Sequence, residues 1–324
     1  MDPAASMHSF ILSMGGLVLL IVLLFLGGQL LPASFAKSVL NLDRRIIYAF
    51  VAILVFTPII KPLGLSFAIT KEVQDAYNTI EHLAPGTPII ISSDYGAATM
   101  PETHPMYIAL LHQCFKKKLR PIILTMVPDG PGITSIGLRT VLQSKNPAGA
   151  LNYPNLQSGI DYAYLGYKPN ATAAILGMVQ SFSGTFPTDY YGKQTKSMPI
   201  FKDVHSLKDV GAVFDIAAVA MPEYWVNYGT QRTGVPLAVS VTAVSAVQYY
   251  PFYRAGQFVG LVNGMKGSAE YEKLVGEEQI TGQVGDATKG MDAQSVVHVF
   301  IVLSILLANL AIFVQRRTAR GATA

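Results

Sequence analysis

Three long apolar stretches enclose one polar region along the chain. They lie at residues 9–32, 46–69 and 296–315. Each is close to the run of about 20 apolar residues that a membrane-spanning helix needs. The pattern therefore predicts three transmembrane helices, with a short N-terminus at 1–8, a loop at 33–45 and a tail at 316–324.

The region between the second and third apolar stretches has a different period. Residues 70–86 carry apolar side chains at helical spacing, and they predict a helix that connects the membrane to a domain at 87–284. Within that domain, apolar runs rich in β-branched residues alternate with helix-compatible stretches. The runs lie at residues 87–93, 121–127, 160–167, 211–217 and 235–241.

Continuous apolar strands that alternate with helices favour a parallel sheet covered on both faces. The sequence therefore predicts an α/β fold, a doubly wound and mainly parallel sheet of about five strands. At the level of pattern it resembles flavodoxin-like and Rossmann-like folds, and such folds carry many unrelated functions.

Three further stretches complete the predicted organisation. Residues 248–278 are helix-compatible throughout and predict a long C-terminal helical block. Residues 183–210 are rich in Gly, Pro and aromatic residues and are long for a connection, which is typical of a lid, a partner-contacting loop or a flexible linker. Residues 285–295 are polar and predict a plain linker into the third transmembrane helix.

Basic residues beside the apolar stretches predict a sidedness. They are Lys37, Arg44 and Arg45 in the loop and Arg316, Arg317 and Arg320 in the tail. With three crossings both segments lie on one side of the membrane, and the positive-inside rule places that side in the cytoplasm. The sequence therefore predicts an integral membrane protein with a cytoplasmic loop and tail and an extracytoplasmic α/β domain.

Composition fits this division into a membrane part and a domain. The chain has 324 residues, of which 51% are hydrophobic and 14% charged. Residues 70–295 contain 17 Lys and Arg against 18 Asp and Glu, a net charge of −1, so the sequence pI near 9.0 comes from the flanks. A nucleic-acid partner would require a basic face on the folded domain, and we predict no such partner.

Polar residues at the ends of the predicted strands are candidates for a ligand site. In open parallel sheets, ligands bind outside the carboxyl ends of the strands, near the point where strand order reverses. The candidates there are Ser93, Asp94, Asp129, Gly130, Lys168, Asp215, Thr242 and Ser245. The glycine lies in a Pro-Asp-Gly-Pro-Gly stretch, which is either a turn or a cradle for an anion at a helix start. We expect these residues to converge on one rim.

Several candidates also have a structural explanation. Asp94 comes shortly before a predicted helix and suits an N-cap. Lys168 is suited to an anionic ligand or a Schiff base, but a salt bridge to Asp94 or Asp215 is the favoured interpretation. A catalytic triad can be assembled from Ser93, His104 and either Asp129 or Asp215, although no nucleophile-elbow motif supports it.

Strict motifs for known chemistries are missing from the sequence. It contains no G-x-S-x-G, Walker loop, H-E-x-x-H, C-x-x-C or G-x-G-x-x-G pattern. His104 and His112 are eight residues apart and do not have the i, i+4 spacing of a metal-chelating pair. The sequence therefore predicts no metal site and identifies no cofactor. Its one cysteine, Cys114, is interpreted as a buried small hydrophobe.

The segment 247–274 combines an aromatic cluster with regularly spaced glycines. The cluster comprises Tyr249, Tyr250, Phe252 and Tyr253, and the glycines are Gly256, Gly260 and Gly264. On a helix, three glycines at intervals of four residues form one bare stripe that allows close backbone approach. Two interpretations follow: this helix packs tightly on the domain's own sheet, or the stripe and the aromatics form an interface with another subunit or with membrane helices.

Three hypotheses for function remain open at the level of sequence. The leading one is a non-catalytic assembly or scaffold subunit of a homo- or hetero-oligomeric membrane complex, in contact with the lipid bilayer and with a small-ligand site on the rim. The second is a membrane-bound hydrolase or transferase that uses the Asp and Lys residues of the rim. The third is solute sensing or capture for a transport partner.

Overall fold

The computed structural model describes residues 31–321 of the chain. These residues divide into two compact units. One unit is formed by residues 62–291 and holds the α/β domain. The other is formed by the segments on either side, up to residue 61 and from residue 292 onward. Most of the predicted span at 9–32 lies outside the described residues.

Six strands form one sheet in which every pairing is parallel. The strands are β1 Pro88–Asp94, β2 Arg120–Thr125, β3 Ala163–Tyr167, β4 Ala212–Ala217, β5 Leu237–Val241 and β6 Gly260–Asn263. They are ordered β3-β2-β1-β4-β5-β6 across the sheet. The predicted α/β class and the parallel sheet are confirmed, and within residues 31–321 the sheet has six strands where about five were expected.

Helices connect the strands and cover the sheet. They are α1 Ala33–Leu40, α2 Arg44–Ile60, α3 Lys71–Glu81, α4 Met100–Lys116, α5 Gly130–Leu142, α6 Ala171–Gln180, α7 Phe182–Thr185, α8 Met221–Tyr224, α9 Gln231–Thr233, α10 Ala243–Arg254, α11 Gly264–Val275, α12 Glu277–Thr281 and α13 Asp286–Gly321. A π-helical segment occupies Trp225–Thr230, and 3₁₀ turns occupy Ala97–Thr99, Thr195–Ser197, Pro199–Phe201 and Leu207–Asp209.

The helices divide between the two faces of the sheet because successive strand residues point to opposite sides. Ile90 and Val213 point to the face covered by α6, the π-helical segment and α10. Ile89 and Phe214 point to the face covered by α3, α4, α5 and α11. Every residue of β1 is buried, as expected for a central parallel strand covered on both faces.

The prediction of one helical block at 248–278 is wrong, and with it the helical glycine stripe. The chain leaves α10, passes through a turn at Gly256 with φ of +72°, forms β6 and only then enters α11. Gly260 lies in β6, where a Cβ would overlap the backbone of Ala76 on α3, and Gly264 begins α11 with φ of +54°. The three glycines therefore share no helix face.

The segment predicted as a lid, contact loop or linker, residues 183–210, packs on the domain core. Its 3₁₀ turns bury Met198, Ile200 and Leu207 against the face that α6 covers. The Phe182 N–H donates a hydrogen bond to the His205 carbonyl, at 2.8 Å, which ties the end of the segment to its start. The segment is therefore an extension of the core on that face.

The membrane-spanning prediction is met at one of the two places where the structure describes it. Within residues 31–321, α13 is the one helix long and apolar enough to cross a membrane. The second predicted span, 46–69, is helical only as α2, which ends at Ile60 with Lys61 as its C-cap. The loop predicted at 33–45 contains α1, which packs its Ala36 against Ala311 and Val314 of α13.

The predicted linker at 285–295 is also wrong, because α13 begins there. Glu272 of α11 accepts hydrogen bonds from the backbone N–H groups of Ala287, at 2.9 Å, and Thr288, at 2.8 Å. A carboxylate at this position satisfies the free N–H groups of the first helical turn and complements the helix dipole. A tertiary contact therefore starts a helix in a stretch whose own sequence is polar and glycine-containing.

Candidate functional site

The strand order reverses between β1 and β4. The connections on the two sides of this point leave in opposite directions, since α4 follows β1 on one face and α8 follows β4 on the other. Doubly wound sheets form a crevice at such a reversal, outside the carboxyl ends of the two strands. The candidate site therefore lies where β1 and β4 end.

Asp94 closes β1 at this point and is fully buried. Its Oδ1 accepts a hydrogen bond from the Met126 backbone N–H at 2.5 Å and a longer one from the Thr125 hydroxyl at 3.4 Å. Its Oδ2 accepts a short hydrogen bond from the Ser92 hydroxyl. The carboxyl group thus has the acceptor role at both oxygens, which suits its ionised form.

Asp215 lies beside it on β4. The register places Asp215 opposite Ser92, so its side chain lies on the same face of the sheet as that of Asp94. Asp215 is fully buried, and neither of its oxygens accepts a hydrogen bond from a donor among the described residues. The charge of the neighbouring Asp94 carboxyl acts on it, and two carboxyl groups buried side by side favour a proton on one of them.

The titration of the pair follows from burial. Burial raises the pKa of Asp94 to about 6, although the hydrogen bonds from Ser92 and the Met126 N–H act in the opposite direction. Burial, and after it the charge of Asp94, raise the pKa of Asp215 well above its ordinary value. Two adjacent buried carboxylates cannot both be charged at moderate cost. We therefore assign the proton of the pair to Asp215, beside the ionised Asp94.

Ser93, Thr242 and Ser245 have structural partners. Ser93 points to the opposite face of the sheet from Asp94, and its Oγ accepts a hydrogen bond from the Thr134 hydroxyl at 2.9 Å. The Thr242 hydroxyl donates to Ser245 Oγ at 3.1 Å, where β5 passes into α10. These contacts fasten strand ends to the following helices and leave a ligand role for the three residues a prediction.

Gly130 is held by close packing. A Cβ at this position would overlap the Thr125 side chain at the end of β2. The glycine therefore allows the start of α5 to approach the strand, in agreement with the turn interpretation of its sequence. The anion cradle at this helix start stays a prediction.

Asp129 and Lys168 do not join the acid pair. Asp129 precedes α5 and lies against Gly96, where a glycine Cβ would be 3.4 Å from its Oδ2. The Lys168 ammonium group lies over the Phe186 ring, 5.6 Å from its centroid. Within residues 31–321 it forms no salt bridge with Asp94 or Asp215, so the favoured interpretation of Lys168 was wrong.

The triad of Ser93, His104 and an aspartate does not form either. The His104 Nδ1 hydrogen-bonds the Tyr95 hydroxyl at 2.8 Å, while the Ser93 hydroxyl bonds Thr134. Burial lowers the pKa of His104, so its neutral form is favoured. Asp215 lies on the other face of the sheet from Ser93. The arrangement therefore provides no base oriented by a carboxylate next to the serine.

Sequence reasoning missed the polar neighbours that define the state of the acid pair. Ser92, Thr125 and the Met126 N–H all hydrogen-bond Asp94. Burial raises the pKa of the Tyr249 phenol, and the charges of Glu223 and Asp215 add to the effect. The Ser-Ser-Asp run at the end of β1 was the only sequence signal for Ser92, and nothing in the sequence pointed to the other groups.

No group of three or more His, Cys, Asp or Glu side chains in the part of the chain that the structure describes could hold a metal ion. A cavity of about 620 Å³ lies at the amino ends of the strands, whereas the acid pair of Asp94 and Asp215 lies toward their carboxyl ends. Its lining includes Leu119, which precedes β2, and Arg120, which begins β2. Neither Asp94 nor Asp215 lines it. The acid pair and the cavity are therefore two separate places in this domain.

Comparison with known proteins adds no assignment to this geometry. No protein-family model, no curated protein and no solved structure matches the chain.

Proposed function

We propose that this chain is a non-catalytic assembly subunit of a membrane complex, held at the membrane by α13 and joined to a second copy of itself through the outer face of α10. One observation carries the proposal, the exposed apolar surface of α10. The bilayer is the second partner, because α13 has the length and composition of a membrane span.

The outer face of α10 is unusually apolar for a surface helix. Val244 is 89% exposed and Val247 is 76% exposed. Ala246 and Tyr249, on the inner face, are buried in the domain core. A surface helix normally presents polar side chains to water, so valines at i and i+3 on the outer face call for a covering surface.

Two further exposed apolar side chains lie on the connection that follows β4. Val219 and Tyr224 follow β4 and are partly exposed. Because β4 and β5 are adjacent, the segments that leave their carboxyl ends are neighbours in the fold. Contiguous exposed apolar surface is typical of protein interaction sites, and two-fold self-association is the commonest way for a protein to cover such a surface.

The chemistry of the acid pair is in keeping with a non-catalytic role. Asp94 and Asp215 are fully buried and lie on the same face of the sheet. A general acid or base needs a substrate atom within hydrogen-bonding reach, and neither carboxyl group reaches the surface. The four groups that the hydrolase or transferase alternative requires do not meet, since Asp129 and Lys168 have other neighbours.

The aromatic residues of the predicted interface support the domain from within. Tyr249 packs against Phe252 and Phe258, and the Tyr253 hydroxyl donates a hydrogen bond to Asp75 at 2.6 Å. Tyr250 and Phe252 pack on the same core. The proposal therefore replaces the aromatic and glycine residues with the two exposed valines as the contact surface.

The mass of the purified full chain in mild detergent tests this proposal. Light scattering that separates protein from detergent mass should give twice the chain mass of 34.9 kDa. Val244→Glu and Val247→Glu should each shift the particle toward the monomer. Ile136→Glu places the same charge at an exposed apolar position of α5 and should leave the mass unchanged. A wild-type monomer at all concentrations would overturn the proposal.

A further inference from the structure

A cavity at the amino ends of the strands has the size and lining of a small-molecule site. Its volume is about 620 Å³, within the range of roughly 300–1,000 Å³ that ligand pockets occupy. Three segments form its walls: the end of α4 with the residues that follow, parts of the 146–161 loop, and α12. All of them belong to the α/β domain.

Aromatic and aliphatic side chains form much of the lining. Phe115 and Tyr153 contact each other with ring centroids 5.4 Å apart, and Leu119, Leu156 and Ile280 complete the apolar part. Phe115 and Leu119 are buried, whereas Tyr153, Leu156 and Ile280 are half-buried and keep apolar surface toward the cavity. Such a concave surface favours a ligand with an apolar body, because binding removes both surfaces from water.

Cationic side chains outnumber acidic ones in the same lining. Lys116, Lys118 and Arg120 line the cavity, and Asp161 is the one carboxylate in it. Asp161 already accepts a hydrogen bond from the Gln157 N–H at 2.8 Å. The excess of positive charge favours an anionic group on the ligand.

Two of the three cations are partly engaged and the third is not. The Lys116 ammonium donates to the Val275 carbonyl at 3.3 Å, and the Arg120 Nε donates to the Gly86 carbonyl at 2.6 Å. Both groups keep further donors for a ligand. Within residues 31–321 the Lys118 side chain forms no hydrogen bond or salt bridge, so its charge is available to the cavity.

Lys118 occupies a backbone position that favours glycine. Its φ is +55°. Its N–H bonds the Phe115 carbonyl and the Leu119 N–H bonds the Cys114 carbonyl, the pair of bonds that ends a helix through a left-handed residue. A side chain in this conformation costs about 1 kcal/mol relative to glycine.

The helix dipole alone does not explain this lysine. Lys116 and Lys117 already place positive charge at the end of α4 without backbone strain, and the dipole is worth about 0.3–1 kcal/mol per charge at an exposed terminus. A third cation with its backbone in a strained conformation, facing a cavity, has an explanation if it binds a ligand.

We propose that this cavity binds a small organic anion, a phosphate or carboxylate group attached to an aromatic ring or a short aliphatic chain. Lys116, Lys118 and Arg120 bind the anionic group, and Phe115, Tyr153 and Ile280 contact the apolar body. The site is independent of the assembly surface on α10, and no chemical step is assigned to it.

Equilibrium dialysis of phenyl phosphate against the full chain tests the proposal, with the same detergent on both sides of the dialysis membrane. Phenyl phosphate should bind at least about tenfold more tightly than inorganic phosphate, which lacks the ring, or benzyl alcohol, which lacks the charge. A tenfold difference is about 1.4 kcal/mol. Equal retention of phenyl phosphate and inorganic phosphate, or no retention of phenyl phosphate, would overturn it.

Substitution of Lys118 separates ligand binding from folding. Lys118→Gly should weaken phenyl phosphate binding about tenfold and at the same time raise the unfolding midpoint, because glycine relieves the backbone strain. Lys118→Arg should retain binding, and Lys118→Asn, which tolerates the left-handed backbone without the charge, should lose it. Lys208→Gln removes a charge elsewhere and should not alter binding. Unchanged binding in both uncharged Lys118 variants would contradict the assignment.

Discussion

Asp94 and Asp215 illustrate how burial changes the chemistry of a single residue type. Each side chain is fully buried, yet hydrogen bonds from Ser92 and the Met126 N–H select Asp94 as the charged partner. Asp215 has no such donors among the described residues, and burial and the charge of Asp94 favour its protonated form. The pair therefore carries about one negative charge in a site that water does not reach.

Stability should depend on pH through this pair. In the unfolded chain an aspartate titrates near about 3.9, whereas in the folded domain the Asp94 pKa is about 6 and that of Asp215 is higher than its ordinary value. The folded state therefore binds more protons in between. The contribution of the pair to stability is full below about pH 4 and is lost as pH rises through about 6, by about 3 kcal/mol for a shift of this size.

Replacement of Asp215 by asparagine isolates this contribution from other titrations. Burial lowers the pKa of His112 to about 4, so this histidine makes the domain less stable as pH falls and opposes the trend of the acid pair. Asp215→Asn keeps a donor for Asp94 and removes the titration. The variant should be more stable than the wild type at pH 7.5, by about 1–3 kcal/mol, and the difference should shrink by pH 4.5.

Thermal unfolding followed by the fluorescence of Trp225 measures this effect, because Trp225 is the only tryptophan and is buried in the α/β domain. Asp94→Ala is the matched variant. It leaves the Met126 N–H without its acceptor and should destabilise the domain by about 1–3 kcal/mol at pH 4.5. The loss should be smaller at pH 7.5, because the variant also lacks the raised pKa of Asp94. An Asp215→Asn variant that is equally destabilised at pH 4.5 and 7.5 would contradict the proton on Asp215.

Part of the candidate site could be predicted from the sequence. Asp94 and Asp215 meet as expected, since both lie near the carboxyl ends of strands that the parallel order brings together. Lys168 also follows a strand, but the Phe186 ring beside it belongs to a connection whose path no local pattern encodes. Which polar groups meet depends on such tertiary packing, and the strand pattern alone does not contain it.

Among the secondary-structure elements, β6 is the one that the sequence pattern concealed. It has four residues and lies in a segment whose glycines recur every four positions, the period of a helix face. Each glycine has a separate reason: a turn at Gly256, close approach to α3 at Gly260 and a left-handed helix start at Gly264. A periodic pattern of glycines does not distinguish these causes from one helical stripe.

Gly260→Ala should destabilise the domain by about 1–3 kcal/mol, because the added methyl group overlaps the Ala76 backbone and α3 must shift. Gly132→Ala is the control. It lies in α5 with no atom within 4 Å of the added Cβ, and it should be neutral or stabilising by up to about 1 kcal/mol. The unfolding midpoints of the two variants, measured by Trp225 fluorescence, test this packing of β6 on α3. A Gly260→Ala domain as stable as the wild type would contradict the packing of β6 on α3.

For the whole molecule, the alternation of apolar strands and helices predicted the α/β class correctly, because burial on both faces of a parallel sheet leaves a strong sequence signal. The prediction of membrane segments was only partly confirmed. Among the described residues, α13 has the length and composition of a span, whereas α2 stops at Ile60. The sidedness of the membrane and the identity of the complex stay predictions.

Cysteine cross-linking in native membranes tests assembly through α10. The one native cysteine, Cys114, is buried, so a cysteine placed at Val244 provides a single accessible thiol for a membrane-permeable bismaleimide. If two copies meet through α10, Val244→Cys gives a product of twice the chain mass. Lys208→Cys, at an exposed position outside α10, gives none. No product with Val244→Cys, or an equal yield at both positions, would contradict this assembly.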